Sequence, residues 1–176
     1  MGFTTQRLII VILIAWLAAA CEPELELSSF DKDVDALIGK RCTFEEPCQI
    51  RIGEATNFDW DEMYVFRPGI VNGEAESIVP AVKGFKGEFN RKIAFMNQGQ
   101  LVRIDEAASV IEGEHTPPGM LFFDNEESEN SDCLRYSRNA VFRVTREKWI
   151  RGNVYFLACA NCESSPVFAQ FGASSR

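Results

Sequence analysis

The chain has 176 residues, of which 46% are hydrophobic and 25% charged, and its 26 acids outweigh 18 basic residues for a formal net charge of −8. An acidic surface repels phosphate backbones and anionic headgroups, which excludes nucleic-acid binding and leaves membrane contact to an anchor. Fourteen phenylalanines recurring inside short apolar runs exclude a disordered spacer.

The N-terminal segment says where the chain works. Met1–Arg7 carries one positive charge and no acid, and Leu8–Ala20 then runs thirteen residues without a charge before Cys21. A spanning helix needs roughly 20 apolar residues, so this run reads as a secretory signal peptide over residues 1–20, closed by small residues at the cut. Leu17-Ala18-Ala19-Ala20-Cys21 resembles the lipobox of bacterial lipoproteins, although that family most often has leucine where Ala18 stands. The resemblance implies lipidation of Cys21 by a diacylglyceryl thioether, with a lipid bilayer as the first partner. Two or three long chains, at about 0.8 kcal/mol per buried methylene, make an essentially permanent anchor. It also implies a cell-envelope location, and Glu22 in place of aspartate leans towards the outer membrane, facing the periplasm. Removing residues 1–20 takes away Arg7 and no acid, so the mature charge is −9 on 156 residues, enough for one domain.

Residues 21–28 read as a lipidated acidic tether and 29–176 as a single globular domain. Ser28-Ser29 can cap a helix over Phe30–Ile38, with Phe30, Val34, Leu37 and Ile38 as its apolar stripe and Gly39 as a stop. Ile50 and Ile52 alternate with polar neighbours as in a half-buried strand. A second strand is predicted over Trp60–Phe66, with Trp60, Tyr64 and Phe66 on one face and Asp59 and Asp61 opposite. Residues 72–84 have room for one helical turn before Pro80. Lys92–Asn97 and Leu101–Asp105 form the clearest hairpin, turned through Gln98-Gly99. Glu112–Gly119 reads as loop, Met120–Phe123 as a short apolar run and Asp124–Asp132 as an exposed acidic loop. Ala140–Arg146 alternates like a strand, and Val154–Cys159 is apolar on both sides, as a central strand covered on each face would be. The sum is an α+β domain built on a mainly antiparallel sheet with one or two short helices.

Five cysteines follow Cys21, and an oxidising compartment favours bridges. Cys42 and Cys48 flank a tight acidic turn, whose closure contributes about 2.4 kcal/mol in the chain-entropy model. The expected map is Cys42–Cys48 plus Cys133 to Cys159 or Cys162, with one thiol left over.

Chemistry is sparse. His115 sits in a Glu-His-Thr-Pro-Pro loop with no Gly-x-Ser-x-Gly elbow to serve it, and reads as an ordinary loop residue. Cys159-Ala-Asn-Cys162 has redox spacing, but a turn follows instead of a helix, so structural bridging is preferred. The oxygens of Asp124, Glu126, Ser128, Asn130 and Asp132 lack the Gly and Glu a calcium loop needs, since Glu129 and Arg135 stand there. Asp59 and Asp61 beside Trp60 could supply an acid–base pair and a sugar platform, against the simpler reading of a core Trp with edge aspartates. The run NFDWDEMYVFRPG is similar to small uncharacterised secreted or lipoprotein domains, a resemblance that implies fold and location and transfers no activity. No catalytic residue, cofactor or metal is therefore assigned. The leading expectation is a non-enzymatic lipoprotein that binds an envelope protein, a basic one by charge. The alternative is an envelope enzyme, either a glycan hydrolase using Asp59 or Asp61 or a thiol oxidoreductase using Cys159 and Cys162.

Overall fold

The computed structural model describes residues 27–86, 91–107, 116–124, 132–161 and 166–167. Helix α1 spans Ser29–Arg41. Ser28 caps it by accepting from the Asp31 N–H at 3.1 Å, while Asp105 adds a second acceptor for the Phe30 N–H at 3.2 Å. Phe30, Val34 and Ile38, spaced by four, are buried together. The helix runs past Gly39 and ends at Cys42, whose extended backbone belongs to the Cys42–Cys48 disulfide. The crosslink, not the glycine, sets the boundary.

The strands follow as β1 (Cys48–Arg51), β2 (Glu62–Phe66), β3 (Arg91–Asn97), β4 (Gln100–Ala107), β5 (Leu121–Asp124), β6 (Cys133–Ser137), β7 (Val141–Trp149), β8 (Gly152–Cys159) and β9 (Pro166–Val167). A short 3-10 helix occupies Ile52–Ala55, and α2 spans Asn72–Ile78, ending before Pro80. These strands form two sheets rather than one. The first has the order β1-β7-β8-β5 and the second β4-β3-β2-β6-β9. All pairs are antiparallel except β5 with β8. The β3–β4 hairpin turns through Gln98 (φ 51°) and Gly99 (φ 75°), the left-handed pair that a two-residue hairpin loop requires.

Period-two alternation distributes side chains between layers. Met63 and Val65 of β2, Ile93 and Phe95 of β3, and Phe142 and Val144 of β7 enter the inner layer between the sheets, where α1 also packs. Phe66, Ala94, Met96 and Cys133 face the other way, into an outer layer closed by Ile70, Ala75, Val79, Val82 and Phe85. The result is an α+β domain braced by a disulfide. Trp60 corrects one expectation. Asp61 bends the chain before β2 begins, so Trp60 joins Met63 and Val65 in the inner layer, on the face opposite Tyr64 and Phe66. Its ring meets Phe95 edge-on at 5.3 Å, and its indole N–H donates to Thr56 Oγ1 at 2.7 Å.

The inner layer also holds a charged cluster. Arg91 donates to Asp31 at 2.5 Å and to the Leu121 carbonyl at 2.5 Å, with Asp105 close by; all three charged residues are buried. Burial pushes the Asp31 carboxyl above its ordinary value, Arg91 opposes the shift, and the second carboxylate at Asp105 adds to it.

Candidate binding edge and groove

Asp59 is 88% exposed and pairs with Arg138 at 2.8 Å, a surface contact of small energetic weight. Asp61 accepts from the Gln98 N–H at 2.8 Å, and its backbone bonds Met96 and Arg138 on either side. The Asp61 carboxylate thus fastens a neighbouring segment while Asp59 makes a surface ion pair, and the buried Trp60 presents no face to a sugar. Cys42 and Cys48 are bridged, with Cα atoms 5.5 Å apart. Cys133 is a correction. It is a free, buried thiol on β6 facing the outer layer, while Cys159 ends β8 in the other sheet. The inner layer lies between them, so the expected bridge does not form. Burial, with Asp132 adjacent, pushes the Cys133 thiol far up, which makes it a poor nucleophile. Cys159 is disulfide-bonded, and its partner is not among the described residues. Cys21, His115, Cys162 and most of the Asp124–Asp132 loop also lie outside them. Among the described residues no group of three His, Cys, Asp or Glu could hold a metal ion, and no helix is long and apolar enough to cross a membrane.

What the fold does assemble lies along β7. Strand β1 pairs only with Val141–Val144, so the remaining Thr145–Trp149 has strand partners on the β8 side alone among the described residues. Beside the start of β1 the disulfide turn opens a groove of about 430 Å³ lined by Phe44, Glu45 and Glu46 of the turn and by Arg143, Thr145 and Arg146 of β7. Phe44 has φ 62°, an uncommon value for a residue with a side chain. That turn stacks Phe44 on Tyr155 (6.1 Å between centroids, 12° between planes) and brings the Arg146 guanidinium to 4.1 Å above its ring. Tyr155 bonds Asp35 of α1, and burial followed by that carboxylate raises its phenol above the ordinary value. The groove floor is therefore tied to both helix and sheet.

The outer face of the same sheet carries Phe122, Phe156 and Trp149. Phe122 stacks on Phe156 at 5.0 Å and leans on Trp149 at 5.4 Å, and Val154 lies buried among them. The face of β8 expected to be fully covered is thus roofed by half-exposed rings of its own sheet. The sequence reading identified the Cys42–Cys48 turn but missed Phe44, Arg146 and Trp149; the available signal was Trp149-Ile150, two large apolar residues in an otherwise polar stretch. In comparisons with known proteins the chain has no significant match to a family, a curated sequence or a solved structure.

Proposed function

We propose that this chain is a lipid-anchored envelope lipoprotein, held through Cys21 at the outer membrane and facing the periplasm, that binds a protein rather than transforming a substrate. The observation that carries the binding part is the one-sided pairing of Thr145–Trp149 next to the groove. A strand edge with unpaired amides and carbonyls is a ready template for an extended segment of another chain, and an adjacent pocket gives such pairing its specificity. Glu45 and Glu46 share the groove with Arg143 and Arg146, so its lining is mixed in charge, and the preference for a basic segment rests on the acidic net charge acting at long range. Asp61 fastens the backbone at 96, 98 and 138 and Asp59 pairs with the Arg138 guanidinium, which supplies a structural reason for both residues that needs no hydrolase.

The test is capture of a partner from envelope extract by the immobilised, folded full chain, with mass spectrometric identification. One stoichiometric protein is expected, and Glu45→Lys with Glu46→Lys should weaken its capture about tenfold, a loss of ~1.4 kcal/mol. Capture that is indifferent to the double reversal at low salt would remove the groove from consideration.

A further inference from the structure

The β7–β8 hairpin ends in Lys148-Trp149-Ile150-Arg151-Gly152. Ile150 is 77% exposed, against 48% for Val71 and 45% for Val102, the other large apolar residues that stand out from the surface among the described residues. Exposed cations flank it on both sides, Lys148 and Arg151, while the one acid of the tip, Glu147, accepts from the Trp149 indole at 3.2 Å. On a chain whose net charge is −8, this tip is locally basic. Tryptophan beside an aliphatic residue, bracketed by lysine and arginine, is the side-chain set that membrane–water interfaces select. The ring and the aliphatic group enter the headgroup boundary, and the cations meet lipid phosphates.

The position of the tip in the molecule supplies the second, independent argument. The described chain begins at Leu27, and the Leu27 side chain packs on Gly119 so closely that a Cβ there would lie 2.9 Å from Leu27 Cδ1. Gly119 donates to the Asn153 carbonyl at 2.8 Å, and a Cβ on Gly152 would lie 2.6 Å from Pro118. Leu27 therefore sits at the end of the domain that carries the hairpin tip. Five residues separate Cys21 from Leu27, six steps along the chain and a reach of at most about 21 Å even when fully extended. A lipid on Cys21 thus confines the tip to the neighbourhood of the bilayer.

We infer that the Lys148–Arg151 tip is a membrane-interface contact for an anionic phospholipid bilayer, a second point of attachment that orients the anchored domain. This placement rests on the Cys21 anchor proposed above. The geometry of the rings favours a bilayer over a glycan: Phe122 and Phe156 spend their faces on each other, 19° from parallel, instead of laying a flat platform on the surface. It also refines the expectation that the acidic net charge leaves membrane contact to the anchor alone, because the tip is an exception to that charge.

The experiment uses the full chain produced in a bacterial envelope and reconstituted into vesicles of phosphatidylethanolamine and phosphatidylglycerol, with or without bromine on the acyl chains. The Trp149 contribution to fluorescence is read as wild type minus Trp149→Phe, since Trp60 is buried in the inner layer. Brominated lipid is expected to quench that contribution about twofold, as for an interfacial indole. Ile150→Asp, at a position with no packing to lose, should restore it. Equal emission in the two vesicle types, or quenching untouched by Ile150→Asp, overturns the proposal. So does a Trp149 signal that is protected only after envelope extract is added, which would assign the tip to a protein. The mass of the Cys21 peptide, measured on the same sample, tests the anchor separately. A bare Cys21 with quenched Trp149 removes the anchor and keeps the contact, and a lipidated Cys21 with unquenched Trp149 does the reverse.

Discussion

The two faces of the five-stranded sheet bury apolar side chains in different ways. The inner layer draws Phe30 from α1, Phe95 from β3, Tyr136 from β6 and Phe142 from β7, and its rings interlock, with Phe30, Phe58 and Trp60 all meeting Phe95 edge-on between 5.1 and 5.3 Å. The outer layer is closed by one contiguous stretch, Ile70–Phe85, folded back over Phe66, Ala94, Met96 and Cys133. Alternate residues of the same strand thus serve a layer that exists only when the whole chain is assembled and a layer that a single segment can open or shut. The first should govern global stability and the second local opening.

The difference is sharpest at Phe95. Phe95→Ala should cost about 3–5 kcal/mol of unfolding free energy, whereas Phe85→Ala, at the end of the cap, should fall at or below the bottom of that range. Urea denaturation of the two variants compares them directly, and equal losses would erase the distinction between the layers.

A second probe of the inner layer is its buried charge. Asp31→Ala leaves Arg91 without its carboxylate and should cost about 3 kcal/mol. The pH dependence has a definite sign. Because the folded carboxyl has a raised pKa, the native state holds its proton to higher pH than the unfolded chain does. Stability from that source is complete below the unfolded value near 3.8 and is lost as pH rises through the folded one. Asp31→Asn cannot ionise, so it should gain on the wild type as pH rises through that window. A difference in urea midpoint that stays flat with pH would contradict this.

The smallest effect belongs to the cap, and Cys133 reports it. Val82→Ala should speed alkylation of native Cys133 about tenfold, the factor that ~1.4 kcal/mol of easier local opening produces. If labelling tracks global unfolding instead, the outer layer is not a separable lid.

What the sequence made legible was local. Ser28 and the Phe30-Val34-Ile38 spacing announce α1, Gln98-Gly99 announces the β3–β4 turn, and the short Cys42–Cys48 loop announces its own bridge. What escaped was whatever depends on distant partners. Cys133 and Cys159 look equally available until their strands are assigned to different sheets. Trp60 changes face because a single bend at Asp61, fixed by the backbone of Met96 and Arg138, precedes β2. The binding edge of β7 was invisible for the same reason, since it exists only because β1 is four residues long and β7 nine.

The order of the strands has one more consequence. Along the chain the path visits the first sheet at β1, the second at β2 to β4, the first again at β5, the second at β6, and returns for β7 and β8. The strands that join β1 to β5, namely β7 and β8, come almost last, and the one parallel pair among the described residues links Leu121 to Tyr155 across that interval. A nascent chain lacking its final quarter has no means of closing the first sheet, whatever the rest has done. Closure of that sheet therefore waits on contacts distant in sequence, the kind of pairing whose loop entropy must be met before it is rewarded, and it is expected to be the slow step of folding.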